Sequence, residues 1–389
     1  MQNLALSWLV YRLTHSTAYL GAISFSQQIP VLLLALPAGA MADRTDRHRM
    51  IILTQSLALL QATILAALTF TGKASIPSLF LLSILLGIIS AFDLPARQAF
   101  LVQMVGRQDL MNAIALNSSM FNAARMIGPA IAGIVVARWG EAFCFSFNAV
   151  SYVAVLLALL KMKIEIAPAR NLKRLDVELM EGFHFIRRTT PVRAMLLLLG
   201  AFGLGGFSFT VLLPVFADRI FVRGAEGLGW LMTATGIGAL AGAVFLAGRK
   251  GLKGISNVIA FSSFGFPAAL ILFSITTHLW VAFLLLTLAG FFMMMTIASI
   301  NTAIQSIIPD TLRGRIMSFF TMMLIGISPI GSLLSGTVAR YLGVQTTVFA
   351  FALICLAAAF WFYRTLPAIQ PEARRLYLLQ NPTISETIP

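Results

Sequence analysis

The stretch Gly39-Ala40-Met41-Ala42-Asp43-Arg44-Thr45-Asp46-Arg47-His48-Arg49 decides the fold class. It sets two acids and three arginines directly behind an apolar run of helix length. Charge is scarce elsewhere: of 389 residues, 59% are hydrophobic and 11% charged, against roughly 25% charged in soluble domains. Mean hydropathy is +0.89. A soluble fold has no use for that much apolar surface, whereas a bilayer does. The chain therefore reads as an integral membrane protein, and the charged run as a short turn at a membrane surface between two spanning helices.

Further segments of the same kind lie on either side of that turn. About 20 apolar residues cross a bilayer. Such segments occur near 18–42, 50–70, 76–99, 113–137, 142–161, 194–217, 228–248, 255–276, 279–302, 315–339 and 345–363. A twelfth, residues 4–13, is too short to cross, and the expectation is a first helix that has lost its N-terminal half. With the Asp43 turn taken as cytoplasmic, 21 of the 28 Lys and Arg residues fall on that side and six on the other, with Arg125 inside a span. The positive-inside rule then places both ends in the cytoplasm. The net charge of +14 thus reports topology, not nucleic-acid binding. No signal-peptide pattern opens the chain. Cys144 and Cys355 offer neither a disulfide framework nor metal spacing. No metal, no cofactor and no catalytic set is expected, because the four histidines lie in or near loops and assemble no nucleophile–base pair. The absence of a Walker sequence argues against ATP as the drive.

The polar stretch 161–193 divides the chain. Its apolar positions 172, 175, 179, 183 and 186 have helical spacing, which suggests an amphipathic helix on the inner membrane face. The expected organisation is a six-helix bundle over 1–161 with a partial first helix, a cytoplasmic amphipathic linker over 162–193, a second six-helix bundle over 194–364, and a cytoplasmic tail over 365–389. The halves repeat. At an offset of 203, Gly21, Gly39, Gly87, Gly128, Gly133 and Gly140 fall on Gly224, Gly242, Gly290, Gly331, Gly336 and Gly343. Six of the nine glycines in the first 186 residues match in this way, which is more than chance placement gives. Weak internal symmetry marks secondary transporters that handle substrate between repeats.

The run from Gly39 to Arg49 resembles the turn between the second and third helices of the major facilitator superfamily, G-x-x-x-D-R-x-x-R-x-R. The stretch Phe92-Asp93-Leu94-Pro95-Ala96-Arg97-Gln98-Ala99-Phe100, followed by Asp109, Asn112, Asn117 and Ser118, is similar to the branch of enterobactin exporters and bacterial macrolide efflux proteins. The resemblance implies an all-α integral membrane protein with the twelve-helix major facilitator fold, two six-helix bundles around a central cavity, in a bacterial inner membrane. It further implies that Asp43, with Gly39, Arg44 and Arg47, latches the cytoplasmic side when the carrier faces outward. The same turn also has a plainer reading as a solvated topology signal. At the repeat position, Gly242 to Lys253, the aspartate is missing.

Asp93 and Arg97, four apart, share one helix face and can pair; latch, proton or substrate coupling, and interfacial solvation all remain open for them. Arg125 lies inside a span. A guanidinium there should face a cavity or meet a carboxylate, so binding or coupling stands beside structural neutralisation. Gly128, Pro129 and Gly133 resemble the family's antiporter motif with its doubled glycine reduced to one. Proline removes a backbone donor and kinks a helix, while glycines permit close packing. Asn117, Asn122, Gln27, Gln28, Asn148, Asn301 and Gln305 are polar residues in or near spans, suited to a polar path or to interhelical hydrogen bonds. Phe291–Met295 with Phe319, Phe320, Met322 and Met323 would make a soft wall or ordinary packing.

The reading is a monomeric secondary transporter that exports a hydrophobic or amphiphilic small molecule, drug or siderophore, by alternating access with protons as the coupling ion. Proton drive and export both come from the resemblance. The alternatives are a lysophospholipid flippase or nutrient importer of the same fold, and, in another class, a non-transporting receptor or scaffold.

Overall fold

The computed structural model describes residues 1–105, 109–162, 175–249, 254–309 and 312–380. Arg107, Lys250, Lys253 and Asp310 lie outside the described residues, and so do the side chains of Asp43, Arg44, Ser118 and Asn122. The described chain is helical: α1 Gln2–Thr14, α2 Thr17–Arg44, α3 Arg47–Phe70, α4 Ile76–Val105, α5 Leu110–Trp139, α6 Glu141–Lys161, α7 Leu175–Arg188, α8 Thr190–Ala201, α9 Phe209–Val215, α10 Gly224–Ala247, α11 Ile255–Ile275, α12 Leu279–Ile307, α13 Arg313–Thr321, α14 Ser328–Leu342 and α15 Val344–Gln380. Three five-residue π turns, Phe202–Gly206, Phe216–Ile220 and Met322–Gly326, join α8, α9, α13 and α14 into longer runs.

Among the described residues, 11 helical runs are long and apolar enough to cross a membrane, and each overlaps one of the segments read from the sequence. The 13-residue α1 is not among them. Helix is the form that satisfies every backbone donor within its own segment, which lipid demands. Many hydroxyls in spans follow the same rule by bonding back to their own helix, as Ser83 does to the Leu79 carbonyl at 2.7 Å and Ser262 to that of Val258 at 2.7 Å. The turns between spans are short. Two residues, Thr45 and Asp46, separate α2 from α3, and one, Gly140, separates α5 from α6. Gly140 has φ 87°, a conformation other residues adopt only with strain.

The chain groups into two compact units. The first comprises Met1–Leu172, Val211–Thr233 and Ser332–Tyr341; the second comprises Lys173–Thr210, Ala234–Gly331 and Leu342–Pro389. Within the first, α2 packs on α4, α3 on α4 and α6, and α1 on α2, α5 and α6. A side chain at Gly87 would come within 2.2 Å of the Gln27 carbonyl, so glycine sets how closely α4 meets α2. Two further segments join this unit through glycine. A Cβ at Gly133 would lie 2.8 Å from the Gly229 Cα, and one at Gly21 would lie 2.5 Å from the Ser332 carbonyl and 3.0 Å from the Gly336 Cα.

Within the second unit α11 packs on α12 and α15, and α8 on α15. Gly290, at the same offset of 203 from Gly87, does the same work: its Cβ would lie 2.2 Å from the Thr235 carbonyl and fixes α12 against α10. Gly242 packs as tightly, with its Cβ position 2.6 Å from the Phe291 carbonyl, whereas its repeat partner Gly39 would meet nothing within 4 Å. The π turn at Phe202–Gly206 lies against the one at Met322–Gly326, with a Cβ at Gly203 only 2.5 Å from the Met323 carbonyl. Helix α7 docks on α13: Arg315 pairs with Glu181, and the Phe183 and Phe319 rings lie 6.4 Å apart. Met293, Met295 and Phe320 are core residues, whereas Met322 is exposed.

Candidate functional site

The α2–α3 turn owes its geometry to Asp46. This residue caps α3, accepting from the backbone amides of His48 at 3.0 Å and Arg49 at 3.3 Å, and its carboxylate pairs with Arg49 Nε at 3.3 Å. Aspartate is among the best N-cap residues because its short carboxylate reaches two otherwise unpaired amides. His48 then anchors the turn: its Nε2 donates to the Leu159 carbonyl at 2.9 Å and its ring stacks on Phe100 at 5.7 Å. Beneath lies a small apolar cluster of Met50, Ile51, Ala96, Phe100 and Leu159.

One turn further along α3 and α4 sits Asp93, 8% exposed. Its Oδ1 accepts from Thr54 Oγ1 at 2.8 Å and Gln55 Nε2 at 2.7 Å, and its Oδ2 pairs with Arg97 Nη2 at 2.5 Å. The i,i+4 pairing expected from spacing is present, and the structure adds two donors from α3. A buried carboxylate is costly unless each lone pair finds a donor, and here both oxygens do.

The polar candidates separate by role. Asn148 of α6 donates to Gln2 of α1, Gln2 Nε2 donates to Gln61 Oε1 of α3 at 3.0 Å, and Gln61 Nε2 donates to the Leu82 carbonyl of α4 at 3.2 Å. That chain of buried amides ties four helices together, which is interhelical glue. Gln28 bonds Ser24 in its own helix at 2.9 Å, and Gln305 bonds Asn301 in its own helix at 2.6 Å. Gln27 donates to Asn3 of α1 at 3.2 Å.

Helix α5 runs unbroken through Pro129. Gly133 makes the close approach described above, and Pro129 contributes its carbonyl, 2.8 Å from where a Cβ on Gly229 would sit. Gly128 borders open space instead. Arg125 is exposed, and its guanidinium carbon lies 4.9 Å from the centre of the Phe121 ring. Among the described residues it meets this ring rather than a carboxylate. Asn117 is exposed two turns earlier.

At the opposite ends of these helices, where α1 stops and α6 starts, stand two contacts that sequence reasoning missed. Arg12 holds Glu141 by two bonds, Nε to Oε1 at 2.8 Å and Nη2 to Oε2 at 3.0 Å. Glu141 is 5% exposed and is the first residue of α6, where the helix dipole favours an anion. Beside it the buried Tyr11 donates its hydroxyl to Asp218 Oδ2 at 3.1 Å. Glu141 directly after Gly140 was a visible helix-start acid, but its partner is 129 residues away and nothing local signals it.

A family model described as transmembrane secretion effector matches residues 1–388. The chain is 31% identical over 369 residues to the staphyloferrin A transporter of Staphylococcus aureus, covering 92% of this chain and 91% of that protein. It is 25% identical over 390 residues to the multidrug efflux pump Tap of Mycolicibacterium fortuitum, covering 97% and 93%. It is also 25% identical over 217 residues to the enterobactin exporter EntS of Shigella boydii, about half of each chain (56% and 52%). Among solved structures, a POT family transporter in complex with a thioalcohol-conjugated peptide aligns with TM-score 0.74 at 13% identity, covering 95% of this chain and 93% of that one. The nucleoside transporter NupG aligns with TM-score 0.70 at 16% identity, covering 94% and 96%. These two likenesses establish the fold. With eleven apolar helical runs, no described strand and a family match along the whole chain, the protein belongs to the transmembrane secretion effectors of the major facilitator superfamily and is a multi-pass membrane transporter.

Proposed function

We propose that this protein exports a hydrophobic or amphiphilic small molecule, of the drug or siderophore class, by alternating access. The observation that carries the reading is the exposed Arg125 of α5, inside the candidate span Ser119–Trp139. A charged group inside a span most often faces the bundle interior or a water-filled cavity and marks a substrate path. Direction comes from the relatives, which are named for efflux and export. Protons exchange for substrate in this reading, and both ends of the chain lie in the cytoplasm of a bacterium. The transport unit is a monomer of two six-helix bundles in chain order.

The α2–α3 turn acts as the cytoplasmic latch through Gly39, Asp43, Arg44 and Arg47, with Asp93 and Arg97 bracing it from α4. The short, capped turn supports this role: Asp46 and His48 fix the backbone that Asp43 precedes. The decisive measurement is uptake of a compound panel into inverted membrane vesicles energised by respiration, with and without a protonophore. Uptake that the protonophore abolishes, and that Asp43→Asn lowers at least about tenfold with unchanged insertion, is the expected result; a tenfold fall corresponds to about 1.4 kcal/mol at the transition state. Uptake indifferent to the protonophore removes proton drive from the reading, and uptake indifferent to Asp43→Asn removes the latch.

A further inference from the structure

The geometry of α5 points to a recognition strip for an organic anion, a carboxylate-bearing amphiphile, formed by Asn117, Phe121 and Arg125. The inference rests on the export reading above and names the charge class of its substrate.

At about 100° per residue, the exposed side chains of this helix fall in two stripes, with the exposed Ala124 between them. Leu116, Met120, Ile127, Ile131 and Ile134, between 41% and 64% exposed, form one stripe of large apolar side chains suited to lipid. Asn117, Phe121 and Arg125, spaced four apart, form a second stripe about a third of a turn away. Gly128 lies on that second face and borders open space. The second stripe carries the guanidinium, which a span keeps beside protein or a water-filled path.

Arg125 stands six residues into the candidate span Ser119–Trp139, about 9 Å along the helix axis. Among the described residues, the charged side chains inside the candidate span Ile76–Val105 of the same unit are Asp93 and Arg97, which answer each other. The strip itself carries one positive charge and no negative one. A guanidinium offers a planar fork that fits a carboxylate by two bonds, and the Phe121 ring beneath it holds the plane and adds an apolar flank. Asn117, two turns away, supplies a further donor and acceptor for a polar group of the same ligand.

Two xanthene dyes of similar shape and opposite charge separate the possibilities: carboxyfluorescein, which carries carboxylates, and rhodamine 123, a cationic ester. Binding is read by fluorescence polarisation on the purified full chain in detergent, and transport by uptake into inverted vesicles. The expected result is that wild type binds and moves carboxyfluorescein in preference to rhodamine 123. Arg125→Gln should weaken carboxyfluorescein binding about 10- to 100-fold, the range for losing a charged hydrogen-bond partner, and leave rhodamine 123 unchanged or improved. Arg125→Lys should recover part of the anion affinity, since it restores charge but not the fork. A wild type that prefers rhodamine 123 overturns the anion assignment and leaves export standing. So does an Arg125→Gln protein that treats both dyes as wild type does, or that loses both equally while keeping its elution profile and thermal midpoint. A wild type that binds anion through Arg125 but moves neither dye upholds the strip and counts against export.

Discussion

Asp93 is a carboxylate placed where a bilayer tolerates one only under strict conditions. Thr54 and Gln55 supply two neutral donors to one oxygen and Arg97 a charged one to the other. Asparagine keeps the size but turns an amide donor toward Arg97 or breaks the pair with α3, and losing a charged hydrogen bond costs about 1.5–3 kcal/mol. Asp93→Asn should therefore lower the thermal midpoint in detergent and reduce vesicle transport per inserted molecule at least about tenfold. Loss of stability with full transport per molecule would make Asp93 a structural residue alone. The Asp93–Arg97 pair was legible from spacing because i,i+4 neighbours always share a helix face. Thr54 and Gln55 were not, since nothing in a sequence records which face of α3 meets α4. The same limit hid Arg12–Glu141, whose bidentate geometry depends on α1 ending beside the start of α6.

Glycines decide where the helices approach each other, and their positions along an element separate roles that a motif lumps together. In α5, Gly128 and Gly133 belong to one motif, yet only Gly133 meets a neighbouring backbone, that of Gly229. Gly133→Val should force α5 and α10 apart and abolish vesicle transport while the protein still inserts. Gly128→Ala should leave stability unchanged or raise it by up to about 1 kcal/mol, since alanine is the better helix former and has room there, and a matching loss in the two would contradict the packing seen. The α2–α3 turn shows the converse. Its glycine, Gly39, meets nothing within 4 Å, and the turn is fixed by the Asp46 cap and by His48 on Leu159 and Phe100. A cap at the first position of a helix is a local signal and could have been read from Asp46 alone.

At the level of the whole chain, the charge distribution makes a topological statement open to direct test. Lys73, in the turn between α3 and α4, and Arg374, near the end of α15, are both exposed. Native Cys144 and Cys355 are buried and leave a low labelling background. Lys73→Cys should react with a membrane-impermeant maleimide in intact cells, and Arg374→Cys only after permeabilisation; the reverse pattern would invert the proposed orientation.

Composition and span length sufficed for the membrane class and the number of apolar helices, because a bilayer imposes a length and a polarity on every crossing segment regardless of its neighbours. The charged turn Gly39–Arg49 sufficed for the superfamily by resemblance. Packing needed the tertiary structure: which glycines meet a backbone, which amides join helices, and which acid finds Arg12. Each of these depends on how helices rotate and cross. Residues far apart in sequence settle that together, and no single segment encodes it.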